Sequence, residues 1–254
     1  MAAKKRIRLD QLLVQRGYYA TRSRARDAIM RQCVVVDGII AVKSGALTHP
    51  SVSVEIDDEA LNYVSRAALK LIHGLNCSGF DPRQKICLDI GASTGGFTQV
   101  LLEKGAKCVY ALDVGTGQLA PSIAKDTRVI ELSGVNAREL SIDQLNGDHP
   151  QFLVSDVSFI SLKLALPPAL HMAQPGATGI FLIKPQFEVG RENIGKSGIV
   201  CDRETAAKAA GHIGEWLGEQ EGWQVSELMD SPIVGSDGNH EYIVAAEKTK
   251  ACRP

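Results

Sequence analysis

The sequence predicts an open α/β sheet of seven strands preceded by a small basic α+β module, and three observations carry that expectation. Short apolar runs alternate with helix-period segments beyond residue 65, the pattern of strands joined by crossover helices. A glycine turn, Gly91-Ala92-Ser93-Thr94-Gly95-Gly96, separates the first apolar run from a helical one. The first 50 residues carry ten lysines and arginines against Asp10, Asp27 and Asp37, although the whole chain has a net charge of −1. A basic segment therefore leads a body that is acidic on balance.

At 254 residues the chain has room for one full α/β domain and a small second one. Its 44% hydrophobic and 22% charged content is that of an ordinary soluble globular protein. Apolar runs such as Ile180-Phe181-Leu182-Ile183 are far too short to cross a bilayer, and no apolar segment of a signal peptide follows the basic N-terminus. Cys33, Cys77, Cys87, Cys108, Cys201 and Cys252 show no metal-ligand spacing. A reduced, cytoplasmic protein without zinc or disulfides is expected.

In the basic module, Leu9, Leu12 and Leu13 recur at helical spacing and Gly17 stands where that helix should end. Thr21 or Ser23 can cap a second helix, whose apolar stripe is Ala25, Ala28 and Ile29. Val34-Val35-Val36-Asp37-Gly38 reads as strand and turn, and Val52, Val54 and Ile56 alternate as a further strand. A charge run by itself is more often a solvated helix face. Here Arg22, Arg24 and Arg26 surround a helix start, where phosphates would meet guanidinium groups and backbone amides together.

This module resembles the S4 RNA-binding domain. The matching residues are Arg8-Leu9-Asp10, Leu12-Leu13, Gly17, Thr21-Arg22-Ser23-Arg24-Ala25-Arg26, Ala28-Ile29, Val34, Val36-Asp37-Gly38 and Val54-Glu55-Ile56-Asp57. Gln32 departs from the family, which often has glycine there, and that departure bears on the turn into the next strand. The expected organisation is an S4-like domain over 1–58, a short acidic linker over 59–64 and the α/β domain over 65–254.

Within the α/β domain, strands are expected at 86–90, 108–113, 129–132, 152–156, 179–184, 224–228 and 242–246, with helices at 97–104, 161–172 and 203–222. Ligands of such sheets bind outside the carboxyl ends of the strands. The glycines of Leu88-Asp89-Ile90-Gly91-Ala92-Ser93-Thr94-Gly95-Gly96-Phe97 allow a sharp turn and close approach of a ligand. Asp113 ends the next strand, with Val114 beside it, roughly 20 residues on, where a carboxylate can take the ribose hydroxyls of an adenosine.

Two details oppose a dinucleotide. Ser93 stands where the dinucleotide fingerprint needs its second glycine, and Asp89 would repel a diphosphate. That carboxylate suits a cationic ligand instead. S-adenosylmethionine, with its ammonium and sulfonium, is therefore the expected cofactor, with Asn136 and Asp156 as further strand-end candidates. Lys184 follows an apolar strand and precedes Pro185, so its ammonium is held rigidly and partly buried, a costly placement that favours function.

Lys70, Asp156, Lys184 and Glu241 together look like the Lys-Asp-Lys-Glu tetrad of FtsJ-like RNA 2′-O-ribose methyltransferases. The matching segments are Ser65-Arg66-Ala67-Ala68-Leu69-Lys70-Leu71, the glycine turn, Ser155-Asp156, Leu182-Ile183-Lys184 and Glu241-Tyr242-Ile243-Val244. An S4 module fused to such a domain is the layout of the TlyA family, also labelled haemolysin A-like. Asp156-Val157-Ser158-Phe159-Ile160-Ser161-Leu162 and Lys184-Pro185-Gln186-Phe187-Glu188-Val189-Gly190 extend that resemblance. Ala67-Ala68 replaces a frequent Gly-Gly, both being small.

The resemblance implies a Rossmann-like seven-stranded methyltransferase domain, ribosomal RNA or ribosomal subunits as partner, and cytidine as the usual nucleoside. Arg6, Arg8, Arg22, Arg24, Arg26 and Arg66 become the candidate RNA contacts. A ribose 2′-hydroxyl is a poor acid, so attack on a sulfonium methyl gains from an adjacent base. A lysine can serve if burial and a neighbouring cation favour its neutral form, which makes Lys184 the candidate base and Lys70 the neighbour. Asp156 and Glu241 would orient the two ammonium groups, and no metal is required.

Two readings of other classes compete. A cytolysin needs a membrane-inserting segment or amphipathic sheet, and neither is visible in the sequence. A non-catalytic RNA-binding protein would not be expected to keep the glycine turn, Asp113 and the whole tetrad. Among enzymes, a base N-methyltransferase would show Asn/Asp-Pro-Pro-aromatic where this chain has Ser155-Asp156-Val157-Ser158-Phe159.

Overall fold

The computed structural model describes residues 6–249, so Lys4, Lys5 and Cys252 lie outside the described residues. The chain divides into two units, Met1–Asn62 and Tyr63–Pro254.

The first unit runs β1 (Ile7–Arg8), α1 (Leu9–Gln15), α2 (Arg22–Met30), β2 (Val34–Val36), β3 (Ile39–Ile40), β4 (Leu47–Thr48) and β5 (Val54–Ile56). Strand β1 pairs with β4, and β2 lies between β3 and β5, all antiparallel. Leu9, Leu12, Leu13, Ala25, Ala28 and Ile29 form the core on which the two helices meet. Thr21, one of the two expected caps, accepts a bond from the Arg24 amide at 3.3 Å. Gln32 adopts φ +63°, the left-handed conformation that glycine enters without steric cost. The turn thus keeps its shape despite the side chain. Asp58, the last residue expected in this module, accepts from Arg31 at 2.8 and 3.0 Å and from Tyr19 at 3.0 Å. The first four residues of the expected linker, Glu59–Asn62, form a 3-10 turn that belongs to this unit.

The second unit runs α3 (Ala68–Ser78), β6 (Ile86–Ile90), α4 (Gly96–Glu103), β7 (Cys108–Asp113), α5 (Pro121–Ala124), β8 (Val129–Ser133), β9 (Phe152–Ser155), α6 (Leu162–Ala165), α7 (Pro167–Met172), β10 (Thr178–Ile183), α8 (Arg203–Gly218), β11 (Trp223–Asp230) and β12 (Tyr242–Lys248). Its seven strands lie in the order β11-β12-β10-β9-β6-β7-β8. From β10 to β8 neighbouring strands are parallel, but β12 runs antiparallel to both β10 and β11. Residues 231–241 contain no crossover helix, so the chain can only return as an antiparallel neighbour.

One sheet face packs under α6, α7 and α8 through Leu162, Leu166, Leu170, Ala210 and Ile213; the other packs under α3 and α4 through Leu71, Leu75, Phe97 and Leu101. The helix expected over 161–172 is two short helices, because Pro167 cannot continue the hydrogen-bond ladder of the first. Helix α3, which hydrophobic period did not single out, sits close to the sheet. A Cβ on Gly74 would meet Ile180 Cγ2 at 2.9 Å and Ile243 Cγ2 at 3.3 Å, so only glycine permits this approach. Among the described residues, no helix is long and apolar enough to cross a membrane.

Candidate active site

The carboxyl ends of β6, β7, β9 and β10 converge around the glycine turn. Gly91 leaves β6 at φ +84°, and a Cβ there would stand 3.0 Å from the Asp156 carbonyl oxygen. Its lack of a side chain therefore fixes how closely the turn approaches the end of β9. Two adjoining cavities share Gly91, Ser93, Asp156 and Ser158. The smaller, of about 140 Å³, is also lined by Ala92, Gly96, Phe97 and Lys184. The larger, of about 550 Å³, extends to Asp113, Val114 and Asn136.

The tetrad forms two ion pairs. Lys70 reaches from α3 to Glu241 at the threshold of β12, with only 5% and 2% of their surfaces exposed. Lys184 stands just past β10, with Nζ 2.7 Å from Asp156 Oδ1 and donating to Ser158 Oγ at 2.7 Å. Burial raises the Glu241 carboxyl above its ordinary value, while Lys70 and then Lys184 act to lower it and Asp156 to raise it. The four groups thus share one electrostatic neighbourhood. Each ammonium has its own carboxylate, Glu241 for Lys70 and Asp156 for Lys184, and Lys70 lines neither cavity.

Around the cofactor candidates, Ser93 holds φ +48° and donates its amide to Asp113 Oδ2 at 2.8 Å. Asp113 Oδ1 accepts from the Gly115 amide at 2.8 Å. Asn136 caps a 3-10 turn by accepting from the Arg138 amide at 3.1 Å. Gly95 precedes α4 and lines neither cavity. Asp89 departs furthest from expectation. It is fully buried, accepts from Thr98 Oγ1 at 2.6 Å and also lines neither cavity. Burial pushes its carboxyl up to about 7. Asp89 Oδ1 lacks a hydrogen-bond partner, and so does Asp156 Oδ1 despite its short contact with Lys184.

Of the candidate RNA contacts, Arg6 and Arg26 are exposed and Arg24 is half-buried. Arg8 and Arg22 both donate to the buried Asp10, at 3.1 and 2.9 Å, so part of their function is to pair with a core carboxylate. Burial would raise the Asp10 carboxyl, yet the two guanidinium groups hold it below its usual range. Arg66 donates to the Val234 carbonyl at 3.0 Å and thereby ties down the loop before Glu241.

Sequence reasoning assigned no role to Ser158 or Phe159. Phe159 is 91% exposed, holds φ +64° and packs on Phe187 with ring centroids 5.2 Å apart. An aromatic in a polar strand-end segment was the available signal. The Lys184–Ser158 bond had none, since it depends on loop geometry.

Residues 63–248 match the FtsJ-like methyltransferase family and residues 7–45 match the S4 domain. The 16S/23S rRNA (cytidine-2′-O)-methyltransferase TlyA of Mycobacterium tuberculosis is 39% identical, across 94% of this chain and 89% of that protein. Hemolysin A of Brachyspira hyodysenteriae is 38% identical, across 93% of this chain and 98% of that protein. A solved hemolysin-like protein of Streptococcus thermophilus superposes with a TM-score of 0.75 at 38% identity, covering 97% of this chain and 90% of that one.

Proposed function

The chain belongs to the FtsJ-like methyltransferase family, and from that premise we propose that it methylates the ribose 2′-oxygen of cytidine in ribosomal RNA, with S-adenosylmethionine as donor. The observation that carries this reading is the gathering of Lys70, Asp156, Lys184 and Glu241 beside a glycine turn at the strand ends. The S4 match supports RNA as the partner, and the relative named for this reaction supports the nucleoside. The work belongs in the cytoplasm, where ribosomes are.

The site fits the donor. The carboxylate-bearing Asp156 lines both cavities and Asp113 lines the larger, so a cationic ligand there meets acidic side chains. Asp113 Oδ2, which accepts from the Ser93 amide, has a further lone pair for a ribose hydroxyl, while Oδ1 accepts from both the Gly115 amide and Gln118 Nε2. When bound, S-adenosylmethionine supplies a methyl group on a positively charged sulfur. Lys184 Nζ, once neutral, takes the proton of the 2′-hydroxyl. Ser158 orients that amine, and Asp156 stabilises the ammonium that results. Lys70, paired with Glu241 and lining neither cavity, does not compete for the proton. Rate enhancement comes largely from alignment of the attacking oxygen. Phe159 offers an exposed face on which a nucleobase can stack.

Ribosomal subunits lacking the modification, incubated with the protein and methyl-labelled donor, test the reading. Label should enter RNA at a cytidine, and the phosphodiester beyond it should resist alkali because its 2′-oxygen is blocked. Label in a base, or none in RNA, would contradict it.

A further inference from the structure

A polar cluster beside the tetrad has no part in the chemistry above. Asn239 is 1% exposed, yet its side-chain amide is fully engaged. Its Nδ2 donates to the Gly198 carbonyl at 3.0 Å and to Asp237 Oδ2 at 2.9 Å. Its Oδ1 accepts from the Val200 amide at 2.9 Å. The backbone is held too: the Asn239 amide donates to Asp237 Oδ1 at 3.1 Å, and its carbonyl accepts from Gly235 at 2.8 Å. Asp237 Oδ2 also accepts from Gln186 Nε2 at 3.1 Å.

Three segments meet in this cluster. Gln186 lies two residues beyond Lys184, and Asn239 lies two before Glu241. Gly198 and Val200 belong to a hairpin closed by a bridge between Ile194 and Val200. The fit is tight on the Glu241 side, where a Cβ on Gly235 would stand 2.6 Å from Glu241 Oε1. Lys184 and Glu241 both lie just outside the sheet ladder, so strand pairing alone does not hold them. An amide can supply two donors and an acceptor at one buried point, and losing any of them strands a partner away from water.

We propose that Asn239 is a positioning residue for methyl transfer. With Asp237 and Gln186 it locks the 194–200 hairpin and the segments bearing Lys184 and Glu241 into one frame. This rests on the functional reading given above. Asn239→Asp keeps the size and the bond from Val200, but it removes both donors and sets a carboxylate against Asp237. The double variant Asp237→Asn, Asn239→Asp restores a donor–acceptor pair with the same net charge.

Single-turnover methyl transfer at saturating donor and RNA, with donor affinity measured by calorimetry, tests the proposal on the full chain. Asn239→Asp should slow transfer on the order of tenfold or more, as misplacement of reacting groups does, with donor affinity within about twofold of wild type. The double variant should recover severalfold. An unchanged rate in Asn239→Asp overturns the proposal, and so does parallel loss of rate and donor affinity without recovery in the double variant. No transfer by wild type would instead refute the functional reading. Hydrogen exchange on the wild-type protein needs no variant to fold. The Val200 amide should be as protected as those of β12, and exchange at the rate of an open loop overturns the clamp.

Discussion

Asp89 shows how placement alters what a residue can do. The sequence places a carboxylate at the end of the first sheet strand, and the fold removes it wholly from water. Burial is the main cause of its raised value of about 7, with the Thr98 bond opposing and Asp156 adding to the rise. The folded protein then holds this proton more tightly than the unfolded chain. Its contribution to stability is full below the ordinary value of 3.8 and is lost as pH climbs through about 7. Asp89→Asn mimics the protonated form and should flatten the dependence of melting temperature on pH across that window. A slope equal to that of wild type would show that Asp89 titrates as an ordinary carboxylate. Asp113 and Lys184 were legible as strand-end polar groups. The pairing of Arg8 and Arg22 with Asp10 was not, because one-dimensional charge counts do not show which carboxylate lies inside.

Elements with strong periodicity and glycine punctuation were legible, and those defined by tertiary approach were not. The turn after β6 could be read because Gly91, Gly95 and Gly96 cluster between an apolar run and an amphipathic one. The reversal of β12 and the break at Pro167 were missed, since strand direction follows from the connection and the proline lay within an otherwise helical pattern. Helix α3 is the clearest case. Lys70 looks like a surface charge in sequence, and only the close packing of Gly74, one turn on, carries it to Glu241. Gly74→Ala should force α3 away from Ile180, costing about 1–3 kcal/mol as overpacking does. Denaturant unfolding measures that loss, and slower methyl transfer at unchanged donor affinity should accompany it. Wild-type stability in this variant would mean that the helix adjusts freely and does not set the position of Lys70.

At the scale of the whole molecule, a basic unit that matches the S4 domain accompanies a unit that matches a methyltransferase. Each should be separable by function. A chain beginning at Tyr63 should bind donor like the full protein yet methylate RNA poorly. In the full chain, Arg24→Ala and Arg26→Ala should each weaken RNA binding and reduce its salt slope by about 1, the signature of a lost phosphate contact. Full RNA methylation by the shortened chain would leave the first unit without the assigned role. The claim on which the whole account depends is that Lys184 takes the ribose proton, and single-turnover transfer by Lys184→Arg tests it most directly. Arginine keeps the charge beside Asp156 but stays protonated at any workable pH, so transfer should be abolished while donor affinity is nearly unchanged. Substantial transfer by that variant would contradict the account, because Lys184 would then only place the substrate and the base would lie elsewhere.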